Sequence, residues 1–247
     1  LGGVYIKFLQ MLAIHESTKH ILRGLGIERA FEQAPYEHIA VAKELGDLTL
    51  QIKHIEPQPF AAGSYGQVYR AQLHDGTQVV IKVLRPSVRH NLSTDLGILR
   101  IIAKCAGLFA NGSIVDVPML AREFCRVTML ETDYRLEAQR GEWLRNYFNE
   151  RQTIVIPRSY RHLSSKHVLV QEFVGGVSLA SIQERQRAGY AIDELVNAAV
   201  GSNIWRQLHT LGVELLRSTL YADYLMVDPH PGNIRLLADD KVALIDF

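Results

Sequence analysis

The stretch that most constrains this chain is residues 223–247, DYLMVDPHPGNIRLLADDKVALIDF. Asp228 stands five positions before Asn233, across the string Asp-Pro-His-Pro-Gly-Asn. Two short apolar runs follow, 234–237 and 242–245, with Ala238-Asp239-Asp240-Lys241 between them. That pattern predicts a β-hairpin. The second run ends in Asp246-Phe247. Two readings fit these residues. One is a rigid turn, because Pro fixes φ and Gly supplies positive φ. The other is a site built from Asp228, Asn233 and Asp246. A Gly-rich loop and a strand lysine upstream would favour the second.

Both lie upstream. Pro57 and Pro59 break any helix. Then come Phe60-Ala61-Ala62-Gly63-Ser64-Tyr65-Gly66 and Gln67-Val68-Tyr69-Arg70-Ala71, which predict a strand, a tight turn and a second strand. Asp75-Gly76 is a hairpin turn signal. Residues 79–83 read as a β-branched strand interrupted by Lys82, which faces away from Ile81 and Val83. On an edge strand such a lysine is merely solvated. Small residues, however, let main-chain N–H groups approach phosphate oxygens. Ala61, Ala62, Gly63, Ser64, Gly66 and Lys82 are therefore candidate phosphate-binding positions.

The flanking segments read as helices. Val4, Phe8, Met11 and Leu12 form a helical stripe. Lys7 and Gln10 share a face, which by itself fits a solvated edge. Residues 26–52 predict further helix, with Pro35 near a start and Gly46 near a stop. Residues 92–110 predict another helix. Asp116-Val117-Pro118 predicts the start of one running to about Phe148. Glu131, Asp133 and Glu137 lie on it. Asp133 and Glu137 share a face, whereas Glu131 points the other way on a continuous helix. One cation cannot easily meet all three unless the helix bends. Arg135 and Arg140 nearby also fit an ordinary charged face. Strands are predicted at 153–156 and 167–173, a hinge at Val174-Gly175-Gly176, and helices at 178–189 and 193–222.

The formal net charge of +1 gives no strong basic field and no case for a nucleic-acid partner. No apolar run approaches the roughly 20 residues of a membrane span. Cys105 and Cys125 have no metal-like or redox spacing and read as two buried thiols. Without an initiator Met or signal peptide, the chain reads as a fragment cut at both ends.

Loop, strand lysine, helix carboxylate, Asp-x4-Asn and Asp-Phe stand in the order of the protein-kinase-like fold. There the first Asp handles the acceptor proton, and the Asn and second Asp hold magnesium. Lys7-Phe8-Leu9-Gln10, residues 59–67, Val80-Ile81-Lys82-Val83-Leu84-Arg85-Pro86, Glu131-Thr132-Asp133 and Asp228-Pro229-His230-Pro231-Gly232-Asn233 resemble the UbiB family of atypical kinases. The resemblance spans nearly the whole chain.

It implies an α+β, protein-kinase-like two-lobed fold with an N-terminal helical extension and a truncated C-lobe. The expected divisions are 1–52 for the extension, 53–174 for an N-lobe with inserted helices and a five-stranded sheet, and 175–247 for the start of the C-lobe. It implies ATP and Mg2+ as cofactors, with Asp228 and Lys82 catalytic and Asn233 and Asp246 on the metal. Glu137 would partner Lys82. Lys7 and Gln10 would contact Glu131 and Asp133 in the nucleotide pocket. The implied role is ATP-dependent phosphotransfer or hydrolysis that supports isoprenoid quinone (ubiquinone) biosynthesis. The implied partners are a nucleotide, a lipid or quinone-precursor ligand, and a membrane surface or quinone-biosynthesis proteins. The place would be the cytoplasmic face, peripheral to a membrane. Two positions depart from the family: Leu9 replaces a Gly of the extension motif, and Gly63 replaces the third Ala of the loop. The alternatives are a small-molecule phosphotransferase of the antibiotic-kinase type and a nucleotide-binding pseudokinase scaffold.

Overall fold

Strands β3 (Gly66–Leu73) and β4 (Gln78–Leu84) form the hairpin that Asp75-Gly76 predicts. The Asp75 side chain accepts from Thr77 N at 2.8 Å, and Gly76 has φ +90°, a conformation that favours glycine. The structure is a computed structural model, and it describes residues 4, 5, 7, 8, 37–109, 116–221 and 230–247. The chain divides into two compact units, 1–136 with 163–170 and 137–162 with 171–247.

In the first unit β1 (Ile52–Ile55) and β2 (Ala61–Ala62) both pair antiparallel with β3. With β4 and β6 (Val168–Glu172) they make the five-stranded sheet, in the order β1-β3-β4-β6 with β2 beside β3. Alternation along β4 buries Val79, Ile81 and Val83 almost completely and leaves Lys82 half-buried on the other face. Full burial of each such side chain contributes about 1.5–3 kcal/mol. Helix α1 (Val41–Leu45) stops at Gly46, whose φ is +56°, and a 3-10 turn (Gly46–Gln51) leads into β1.

The long helix α2 (Pro86–Phe109) packs on α3 (Val117–Glu131). A methyl at Gly107 would come within 2.6 Å of the Pro118 ring, so this contact needs a glycine. Asp116 caps α3 by accepting from Met119 N at 2.8 Å, as its sequence predicts. Cys125 is buried in this unit, but Cys105 is exposed on α2, contrary to the expectation of two buried thiols.

The expected single helix to Phe148 is two helices, α3 and α4 (Tyr134–Tyr147). Thr132 Oγ1 donates back to Thr128 O at 2.9 Å and Met129 O at 3.2 Å. Asp133 Oδ1 accepts from Arg135 N at 3.2 Å, starting the second helix. Local side-chain bonds of this kind compete with the helical ladder.

The second unit holds the sheet β5-β9-β8-β7, with β5 (Ile154–Val155), β7 (Val177–Ser178), β8 (Ile234–Leu236) and β9 (Val242–Leu244). Strands β8 and β9 are the predicted antiparallel hairpin, with Asp239 and Asp240 at positive φ in its turn. Leu144, Ile182, Val196, Leu211, Leu236 and Val242 lie in the core beneath it. Helix α5 (Leu179–Arg187) follows β7. The helix expected at 193–222 is also broken, into α6 (Ile192–Val200) and α7 (Ile204–Tyr221). Gly201 ends α6 in the left-handed region with its N–H on Asn197 O, and Asp240 takes the Asn203 N–H at 2.8 Å. Among the described residues no helix is long and apolar enough to cross a membrane.

Candidate functional site

In the first unit the small-residue turn sits between β2 and β3. Ala61 pairs with Val68 and Ala62 with Gln67. Gly63 N donates to Gly66 O at 2.9 Å and closes the turn. A methyl on Gly66 would collide with the Tyr134 hydroxyl and lie 3.0 Å from Val83 O, so the space demands glycine. Gly63 differs. Its φ is outside the left-handed region, and a methyl there would meet nothing nearer than Gly66 O at 3.9 Å.

Lys82 lies opposite Val68 on the β3–β4 hairpin, and Gly66 lies opposite Leu84. The Lys82 ammonium stands 5.2 Å from the Tyr134 ring centre, a cation–π arrangement. Tyr134 is buried, and its N–H donates to Lys166 O at 3.1 Å. One aromatic side chain thus touches both the turn and the strand lysine.

The N-terminal segment docks in this unit too. Val4, Tyr5, Lys7 and Phe8 are helical, with Val4 1% and Phe8 6% exposed. The Phe8 and Phe124 rings meet edge to face at 5.1 Å. Lys7 Nζ lies 2.5 Å from Glu131 Oε2 and 4.6 Å from the Tyr65 ring centre. Both partners of that ion pair are about one-third exposed, so it is worth roughly 0–1 kcal/mol. Burial of Val4 and Phe8 is the larger contribution. Tyr65 is buried with its hydroxyl 3.3 Å from Thr128 Oγ1, and burial pushes its phenol well above the ordinary value.

Asp133 is oriented differently. It accepts from Arg135 Nε at 2.9 Å and Nη2 at 2.6 Å, and that guanidinium holds its carboxyl below the usual range. The helix break therefore sends Glu131 to Lys7 and Asp133 to Arg135. Gln10 lies outside the described residues, as do Met11, Leu12 and Pro35.

The second unit carries the other candidates. Glu137 is in the first turn of α4 and only 7% exposed. A carboxylate so buried needs a cation or hydrogen bonds. A 3-10 turn (Pro231–Asn233) precedes β8, with Gly232 N donating to His230 Nδ1 at 3.1 Å. Ile245 N donates to Asn233 O at 3.0 Å. Asn233 and Asp246 therefore flank the same end of the β8–β9 hairpin, and both are half-buried. Phe247 closes on Gly141 of α4, where a methyl would lie 3.1 Å from its ring. Two oxygen-bearing side chains suit a hard cation that keeps waters in its shell. Among the described residues no group of three His, Cys, Asp or Glu could hold a metal. Asp228 lies outside them.

Sequence reasoning assigned no role to Gln67, Arg85 or Tyr134. Gln67 is fully buried and makes two bonds to the Glu37 main chain, Oε1 from N at 2.6 Å and Nε2 to O at 2.9 Å. The Glu37 carboxylate accepts from Ser87 Oγ and N near the start of α2. Arg85 is buried and donates to Gly63 O. Gln67 lies on β3, Arg85 follows β4 and Tyr134 opens α4, and no local sequence pattern marked their partners.

The sequence matches the ABC1 atypical kinase-like domain over residues 29–247. The chloroplastic protein Activity of BC1 Complex Kinase 3 of Arabidopsis thaliana is 31% identical, across 84% of this chain and 28% of its own length. The uncharacterized protein slr0889 of Synechocystis is 33% identical, across 100% of this chain and 61% of that protein. The chain thus spans less than two thirds of either relative. The solved complex of Rv3197 with erythromycin from Mycobacterium tuberculosis is similar over 100% of this chain and 60% of that one, with TM-score 0.66 and 25% identity. The motifs, the paired hairpins and these matches agree: the chain belongs to the ABC1 atypical kinase-like family, the UbiB family its motifs resemble, and has a kinase-like fold.

Proposed function

We propose that the chain is the nucleotide-handling part of a magnesium-dependent atypical kinase or ATPase that uses ATP. The observation that carries this reading is that β3 leads straight out of the small-residue turn and pairs with the strand that carries Lys82, with Gly66 opposite Leu84 and Val68 opposite Lys82. The turn supplies main-chain N–H groups and the lysine supplies a cation, the donors a phosphate chain takes. In this reading Ala61, Ala62, Gly63, Ser64 and Gly66 line the phosphates and Lys82 neutralises them. Glu137 is the buried carboxylate of the second unit, and its burial supports a cationic partner. Asp228 takes the acceptor proton. Asn233 and Asp246 hold the metal. Magnesium and ATP, when bound, supply charge neutralisation and the transferable phosphoryl group.

The docked Lys7 supports a small or lipid acceptor, or ATP hydrolysis alone, over a protein acceptor, because its segment already covers Tyr65 of the turn. Support of isoprenoid quinone biosynthesis is proposed on family resemblance. A second reading, a small-molecule phosphotransferase, is favoured by the erythromycin bound to Rv3197.

The test is ATP turnover with and without magnesium in the parent and in Lys82→Met. Loss of a charge-assisted bond of about 1.5–3 kcal/mol predicts a fall of roughly 10- to 100-fold in ATP affinity or turnover. Unchanged values in the variant sink the reading. ATP binding with no turnover in the parent points to a pseudokinase. Erythromycin-dependent ADP release favours the second reading.

A further inference from the structure

Three residues past Lys82, at the end of β4, stands Arg85, 6% exposed. Its Nη2 donates to the Gly63 carbonyl at 3.0 Å, and its main-chain N–H donates to the Tyr65 carbonyl at 2.9 Å. One residue thus holds the turn at two points, while Gly63 N to Gly66 O closes it from within. A trans peptide directs its carbonyl and its N–H to opposite sides. With the Gly63 carbonyl fixed on Arg85, the Ser64 N–H is turned to the other side. Gly63 has open space around its Cα, and glycine lets its flanking peptides rotate at little steric cost. The guanidinium, a rigid and pre-organised donor, removes that freedom.

We propose that Arg85 is the positioning residue for the phosphate-binding turn: it fixes the Gly63–Ser64 peptide so that the Ser64 N–H is presented as an anion donor. This rests on the nucleotide reading above. The role acts through the turn and predicts a discrimination that a purely structural arginine would not. ATP, which has phosphates, depends on it. Adenosine, which has none, does not.

The experiment compares ATP and adenosine affinities in the parent, Arg85→Met and Arg85→Lys. Loss of a hydrogen bond from a charged donor predicts that Arg85→Met lowers ATP affinity by roughly tenfold and leaves adenosine affinity unchanged. Arg85→Lys keeps one donor of similar reach and recovers most of the loss. In the parent, amide exchange at Ser64 slows with ATP and not with adenosine. Unchanged ATP affinity in Arg85→Met, equal loss of both ligands, or a Ser64 amide that ATP does not protect overturns the proposal. If Arg85→Met does not fold, the Ser64 exchange decides. Lys82→Met, measured alongside, separates the two readings. ATP affinity that depends on Lys82 but not on Arg85 removes only the role of Arg85. Affinity that depends on neither removes the nucleotide reading as well.

Discussion

The ammonium of Lys82 stands 5.2 Å from the centre of the Tyr134 ring. Tyr134 directly follows Glu131-Thr132-Asp133 and opens α4, so the helix break places an aromatic face beneath the strand lysine. The ring, rather than the hydroxyl, makes that contact. Tyr134→Phe keeps it and is expected to unfold within about 1 kcal/mol of the parent in urea. Tyr134→Ala leaves a large cavity and is expected to cost about 3–5 kcal/mol. Equal losses in the two variants would show that the hydroxyl carries the site.

The two glycines of the turn are not equivalent. At Gly66 a methyl meets the Tyr134 hydroxyl and Val83 O, so Gly66→Ala is expected to destabilise by about 1–3 kcal/mol through overpacking. At Gly63 the methyl has room, so Gly63→Ala is expected to be neutral or to stabilise by about 0.4–1 kcal/mol, through the unfolded chain. Thermal melting of both variants checks this. A Gly63→Ala variant as unstable as Gly66→Ala contradicts the geometry of the turn.

Much of the fold was legible because its cues are local. Asp75-Gly76 marks its own turn, alternation along β4 sends Lys82 away from Ile81 and Val83, and Asp116 caps the helix it precedes. The helix breaks were not legible. At Thr132 the ladder yields to a hydroxyl bonded to residues 128 and 129, and at Asn203 it yields to Asp240, 37 positions away. In the candidate site, Asn233 and Asp246 could be placed at one hairpin end from the two apolar runs. Gln67 could not be read, because its partner Glu37 is 30 positions away and no local pattern points to it. Although Leu9 departs from the family motif, Val4, Lys7 and Phe8 are docked.

Asp133 links this break to pH. Its folded-state carboxyl lies below the usual range, chiefly through the Arg135 side chain and secondarily through the Arg135 N–H. A depressed acid stabilises the fold above its unfolded value, near pH 3.9, and that stability is lost as pH falls through the folded value. Arg135 is exposed, so the effect is screened and amounts to at most about 1 kcal/mol. Asp133→Asn is expected to lower stability at neutral pH and to show a shallower loss on acidification. Parallel stability–pH curves for parent and variant would remove Asp133 from the acid response.

The docked N-terminal segment separates two contributions that the family resemblance joins. Lys7 makes a one-third-exposed ion pair with Glu131 and lies over Tyr65, whereas Phe8 is buried against Phe124. The ion pair is worth roughly 0–1 kcal/mol, and the cation–π contact adds about 0.5–1 kcal/mol at such exposure. Truncating a buried Phe costs about 3–5 kcal/mol. Phe8→Ala is therefore expected to release the segment, with fast amide exchange at residues 4–8 and early proteolysis there. Lys7→Ala is expected to leave the segment docked and to change only what depends on the charge beside the turn. On the nucleotide reading, that means ATP affinity, turnover or self-phosphorylation. If Lys7→Ala releases the segment as fully as Phe8→Ala does, the ion pair holds it and this ranking is wrong. If Lys7→Ala leaves exchange, affinity, turnover and self-phosphorylation all as in the parent, Lys7 has no part in nucleotide handling.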